Sequence, residues 1–195
     1  MNLVERHREP GTQFDYSTFN THILGVVIEK VTGRKFSDDF SERIWSRAGM
    51  EGDAEMARTP IGEPLNGGVF AARLRDKARF ALLFAPNRGT VSDTRVVDEA
   101  YFEKVYGTGN SAAFFNPESD LGCRILGDFD DAPIHASDQW DAVFEDGDLY
   151  KSAKNGQCIY VSPSNDMAVV WFSNTYDNSP WLPIYARAIV KEISR

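Results

Sequence analysis

With 195 residues, 42% hydrophobic and 26% charged, the chain has the composition of a folded domain with one sizeable core, not of a disordered tail. Its net charge of −8, with Lys and Arg scattered singly, leaves no basic stripe and argues against a nucleic-acid partner. No apolar run approaches the roughly 20 residues of a membrane span, and the first ten residues lack the apolar stretch of a signal peptide.

Residues 1–15 read as a polar, extended lead-in that turns at Pro10 and Gly11. Behind it, Ile23, Leu24, Val27, Ile28 and Val31 recur at helical spacing, which predicts a helix over 20–31 with Asn20 or Thr21 as N-cap and Gly33 as the stop. A second helix is predicted from Ser37 to Arg47, with Asp38 and Asp39 in its first turn, Phe40, Ile44 and Trp45 facing inward, and Gly49 ending it. Residues 50–69 read as a long surface loop. A third helix then carries Phe70, Leu74, Ala78, Ala81, Leu82 and Ala85 on one face and is closed by Pro86 and Asn87. A short helix is expected around 97–105.

Residues 107–139 are rich in Gly, Asn, Asp and Pro and read as irregular. Four short β-rich runs follow, 140–144, 149–153, 157–161 and 168–172, separated by turn compositions such as Glu145-Asp146-Gly147-Asp148. A final helix over 181–193 carries Leu182, Tyr185, Ala186, Ile189 and Ile193 on one side. Helices, then an antiparallel meander, then a terminal helix indicate an α+β fold with segregated layers. The parts are thus a lead-in (1–15), a helical part (16–106), and an irregular segment with strands and a last helix (107–195).

Three stretches carry candidate chemistry. Tyr16 stands where a turn delivers a phenol to the head of a helix. Such a group acts as a general base near neutral pH only beside cations that favour its ionised form. Adjacent glycines at Gly67 and Gly68 allow a backbone path that side chains would block. Lys151, Ser152 and Ala153 lie on a strand that could line a cleft, with Lys154, Asn155 and Gly156 as the competing register.

Taken together, 14–25, 28–36, 44–50, 66–80 and 146–163 resemble the C-terminal portion of a β-lactamase-related serine hydrolase, in the penicillin-binding-protein-like, esterase and 6-aminohexanoate-dimer hydrolase branch. The resemblance runs from about Pro10 to Ser194. It implies part of a β-lactamase/transpeptidase-like α+β fold and hydrolysis of an ester or amide through an acyl-enzyme. Tyr16 would then belong to the proton relay and Lys151 would be the cleft-lining cation. Ser152 and Ala153 would contact substrate, the amide of Ala153 or its neighbour completing the oxyanion hole. Apart from the resemblance, Trp140, Trp171 and Trp181 read most simply as core aromatics, with Trp140 as a wall of a substrate cleft the alternative. No cofactor and no metal are implied. The family's β-lactamase branch has Asn two residues after the tyrosine; Thr18 stands here and tilts the reading slightly away from β-lactams, with esters, small amides and peptides all left open. Arg75 and Asp76 match an Arg–Asp pair assigned to structural ion pairing.

The family's nucleophile is a serine followed three positions later by lysine. No serine of this chain has that neighbour. Ser92 with Arg95 comes nearest, and a guanidinium cannot accept the proton. The Ser-x-x-Lys segment would precede Met1 in such a family member. A second reading is therefore an inactive homologue or fragment that binds ligands or partners, with an unpaired sheet edge favouring homo-oligomers or strand exchange. A third is an unrelated hydrolase using Ser17 or Ser152.

Other residues carry less. Cys123 and Cys158 lack metal-ligand spacing and are expected as free thiols of a cytoplasmic protein, a disulfide between them being the alternative. His7, His22 and His135 are isolated, and His22, in the first turns of a helix, is expected in a surface or packing role. Asp128, Asp130 and Asp131 lack the spacing and terminal Glu of a calcium loop.

Overall fold

The computed structural model describes residues 7–86, 88–127, 129–175 and 181–193. Asn87, Asp128, Ser194 and the side chain of Cys123, named above, lie outside the described residues.

Helix α1 runs Thr18–Thr32, two residues earlier than predicted, because the Ser17 hydroxyl and not Asn20 or Thr21 caps it, accepting from the Asn20 N–H. Gly33 ends it in the left-handed conformation (φ 69°), donating to Glu29. The second predicted helix divides into α2 (Phe36–Phe40) and a π-helical turn (Ser41–Trp45), the Ser46 N–H reaching back to Ser41. The turn swings Trp45 beside Phe40 and Phe70, both within about 6 Å. The loop predicted over 50–69 holds β1 (Glu55–Met56), which pairs antiparallel with β2 (Phe70–Ala71). Helix α3 consequently begins only at Leu74 and runs to Leu82. Helix α4 (Glu99–Gly107) is capped by Asp98.

The segment predicted to be irregular folds into α5 (Ser111–Phe114), α6 (Asp120–Gly127) and β3 (His135–Ser137). Its Asn and Ser residues act locally: Asn110 caps α5, and Ser119 accepts from the Gly122 N–H at the start of α6. The meander forms as the alternation predicts, with β4 (Trp140–Val143), β5 (Leu149–Ser152), β6 (Cys158–Ser162) and β7 (Met167–Trp171). One antiparallel sheet has the order β3-β4-β5-β6-β7. Helix α7 spans Trp181–Ile193.

The sheet divides two cores. On one face, α3 packs over β6 and β7, and Leu149, Val161, Val143 and Trp140 meet Ala81 and Phe84. On the other, Tyr150, Tyr160 and Phe144 meet Ala186 and Val190 of α7. The buried side of α7 is Pro183, Ala186, Arg187 and Val190. Tyr185, Ile189 and Ile193, placed with Ala186 on one predicted face, are exposed instead. The rotation has a cause: Arg187, 6% exposed, bonds Asp131, Asp148 and Tyr160 across the sheet and lies 3.9 Å from the Phe144 ring centre.

The apolar stripe of α1 also departs from ordinary packing. A stripe of this period normally faces a core. Of the fifteen residues of α1, all described, only Gly25 is buried, and Leu24, Val27 and Val31 are 53%, 49% and 81% exposed. Among the described residues, β7 likewise has β6 as its one strand neighbour.

Candidate active site

Tyr16 is placed by what lies on either side of it. Before it, the lead-in is strapped to the α5 region: Asn110 donates to the Gly11 carbonyl, Asn116 to Thr12 and Ser119 to Phe14, and the Phe14 N–H bonds the Ala113 carbonyl at 2.9 Å. The Phe14 and Phe114 rings pack 5.6 Å apart. After it, Ser17 starts α1. That helix rests on the Asn66–Gly68 turn, where the Gly67 N–H donates to His22 Nδ1 at 3.3 Å. A Cβ on Gly67 would come within 2.8 Å of the Thr18 carbonyl, so that position needs glycine, and one on Gly25 would displace the Asn66 side chain that packs on it. His22 is half-buried and accepts the one bond from the Gly67 turn.

The opposite wall is the β3–β4–β5 edge. Lys151 Nζ lies 5.0 Å from the centre of the Tyr16 ring, a cation–π contact. The same ammonium donates to Asp141 Oδ1 at 2.7 Å. Asp141 Oδ2 accepts from the Ser152 N–H at 2.8 Å and from the Ser152 hydroxyl. Asp141 is 2% exposed, so three donors satisfy a carboxylate that would otherwise be costly to bury. Sequence reasoning missed it. The signal was a single acid in the apolar strand Trp140–Phe144, which requires a cationic partner nearby. Ser152 also accepts from Arg124 at 3.4 Å.

Between these walls lies a cleft of about 240 Å³ lined by Tyr16, Asn20, Gln139, Trp140, Asp141 and Lys151 among others. Trp140 lines it from a buried position: the indole donates to the Tyr101 hydroxyl at 2.8 Å and packs perpendicular to Phe84. Asp138 and Gln139, at φ 47° and 72°, form the two-residue turn between the paired Ser137 and Trp140 at the rim. The cleft thus brings together Tyr16, Lys151 and Trp140. Ser152 is held behind Lys151 on Asp141. Ala153 is exposed beyond the end of β5, and its N–H is engaged by the Gln157 carbonyl at 2.7 Å. Lys154, the alternative lysine, sits exposed on the turn Lys154–Gly156 and does not line the cleft.

The remaining candidates are structural. Arg75 forks onto Glu51 at 2.9 and 3.1 Å and does not pair with Asp76. The buried Asp76 accepts from the Glu51 N–H. His135 is buried and bonds the Val105 carbonyl through Nε2 at 2.9 Å. Asp131 pairs with Arg187. Cys158 is a free buried thiol pushed up to about 11 by burial, which makes it a poor nucleophile.

Known proteins resemble this chain in sequence and in fold. Residues 3–190 match the profile of the family described as Beta-lactamase. The chain is 24% identical over 165 residues to the 6-aminohexanoate-dimer hydrolase of Paenarthrobacter ureafaciens, covering 85% of this chain and 40% of that enzyme. It is 37% identical over 65 residues to the D-aminopeptidase of Brucella anthropi, covering 33% of this chain and 12% of that protein. Among solved structures, a Bacillus anthracis protein assigned as a 6-aminohexanoate-dimer hydrolase superposes with a TM-score of 0.76 at 24% identity, over 97% of this chain and 46% of its own. A Bacteroides dorei protein assigned as a β-lactamase superposes at 0.69 and 20% identity, over 97% of this chain and 62% of its own. The fold is therefore β-lactamase/transpeptidase-like, and the chain spans less than half the length of the two 6-aminohexanoate-dimer hydrolases.

Proposed function

The chain belongs to the beta-lactamase family of hydrolases, and on that premise we propose that it supplies one side of the cleft of a serine hydrolase cleaving an ester or amide through an acyl-enzyme. The observation that carries the reading is the Lys151 ammonium set over the Tyr16 ring inside a cleft. Tyr16 is the relay group and Lys151 the cation beside it. Trp140 forms part of the wall; Ser152, held on Asp141, and Ala153, whose N–H is engaged by Gln157, do not line the cleft. The Ser-x-x-Lys nucleophile is not among these 195 residues and belongs to polypeptide outside them. In the reaction the serine oxygen adds to the substrate carbonyl carbon. Its proton passes by way of the Tyr16 oxygen to the departing alkoxide or amine, and water then releases the acyl group as the acid. No cofactor takes part in this scheme. The substrate is a small ester or an amide such as the dimer for which the 6-aminohexanoate-dimer hydrolases are named. Titration of the isotope-labelled chain with 6-aminohexanoate dimer should give saturable NMR shifts at Tyr16, Lys151 and the Trp140 indole. Shifts confined to other surfaces, or none at millimolar ligand, would contradict the assignment.

A second reading, a binding or oligomerising module, is favoured by the exposed α1 stripe and the β7 edge. It expects a dimer, or poor solubility, in light scattering of the purified chain. A well-behaved monomer would count against it.

A further inference from the structure

The geometry points to Asp141 as the positioning residue of this cleft, the group that holds Lys151 against Tyr16 and fixes the end of β5. The inference rests on the reading of Lys151 as the cleft cation. Residues 142 and 143 of β4 pair with 150 and 149 of β5, so the same register sets Asp141 opposite Lys151. A cross-strand pair of opposite charge is favourable at such a site. Here the pair does more than attract. One oxygen takes the ammonium, and the other takes both the N–H and the hydroxyl of Ser152. The carboxylate replaces the backbone ladder at the point where Trp140 leaves β5 to pair with Ser137.

The side chains differ in exposure in a way that assigns cause. The carboxylate of Asp141 is 3% exposed and the Lys151 side chain 26%, whereas Tyr16 is 52% exposed. The buried acid cannot rehydrate without its partner, so it anchors; the half-exposed phenol ring cannot. A cation–π contact at an exposed site is too weak by itself to immobilise a side chain with the rotamer freedom of lysine. Lys151 therefore lies over Tyr16 because Asp141 holds it there. A second consequence concerns charge. The cleft presents an ion pair rather than a bare cation, so the field of Lys151 at the phenol is that of an oriented dipole with its positive end towards Tyr16.

The test reads the lysine itself and needs no turnover. In nitrogen-edited NMR spectra of lysine ammonium groups, Lys151, identified by its loss in Lys151→Arg, should give a water-protected signal, and its side-chain methylene protons should carry an upfield ring-current shift from Tyr16. Asp141→Asn keeps shape and an acceptor for Ser152 but removes the charge. It should accelerate ammonium exchange at least tenfold and abolish the ring-current shift. Tyr16→Leu should remove the ring-current shift and leave the ammonium protected. Protection lost in Tyr16→Leu, or protection and ring-current shift both kept in Asp141→Asn, would overturn the proposal. Should Asp141→Asn not fold, Tyr16→Leu alone still decides it, since Tyr16 is half exposed. Failure of the hydrolase reading leaves these signals unchanged, so the two failures are distinguishable.

Discussion

Replacing Arg187 by methionine should be the most damaging single change outside the cleft. The guanidinium donates to Asp131 at 2.6 Å, to Asp148 at 3.0 Å, to Asp146 at 3.1 Å and to the Tyr160 hydroxyl at 2.6 Å. These partners do not matter equally. Asp131 and Asp146 have side chains 59% and 30% exposed and can return to water at little cost. Asp148 is fully buried, and burial already raises it above the usual carboxylate range. Methionine fills most of the volume but leaves that carboxylate unpaired, a change that costs about 3–5 kcal/mol. A domain has about 5–15 kcal/mol in all. Urea unfolding followed by tryptophan fluorescence would measure the loss. Protonating Asp148 removes the unpaired charge, so the penalty should shrink as the solution is made acidic. Adding Asp148→Asn should recover more than half of it, because the two positions share one interaction. A loss under about 1 kcal/mol, or a double variant no better than Arg187→Met, would refute the claim that α7 is rotated by this network.

Glu51 is held at about 2, below its usual value of 4.5, by hydrogen bonds from Arg75 and Arg79. Its folded-state value is depressed, so the stability it lends is complete above about 4.5 and is lost as the pH falls towards 2. Glu51→Gln should flatten the decline of Tm over that window, and an unchanged slope would contradict this. Cys158 should resist an aromatic disulfide reagent at pH near 8 in the native state and react only on unfolding, as peptide mapping would show; rapid native labelling at Cys158 would contradict its burial. Gln139→Gly should stabilise the chain by up to about 1 kcal/mol in urea unfolding, because glycine removes the cost of a left-handed backbone in the rim turn. A loss of stability would mean that the Gln139 side chain makes a contact that outweighs the strain.

The meander and α7 were legible because strict alternation, Asp-Gly turns and a long apolar period are local signals. Helices α5 and α6 were not. Each is short and begins at Asn or Ser residues whose side chains serve equally in loops, so composition alone reads as irregular. The α1 stripe had the right period, but periodicity records which side of a helix is apolar and not whether anything covers it. Its 81% exposed Val31 is a tertiary fact. That Tyr16 and Lys151 carry candidate chemistry was legible from their surroundings, and the structure brings the two side chains together in one cleft. Asp141 was not legible, because its importance comes from the strand register that sets it against Lys151. The lead-in straps from Asn110, Asn116 and Ser119 were hidden for a related reason: each joins residues about 100 positions apart.

The central claim is that these residues form the Tyr16–Lys151 side of a serine-hydrolase cleft whose nucleophile lies outside them. Fluorophosphonate labelling of the purified chain, read by intact mass and peptide mapping, tests it most directly. No adduct is expected. A stoichiometric adduct on one defined serine, Ser152 or Ser17 above all, would contradict it and place the nucleophile within the chain.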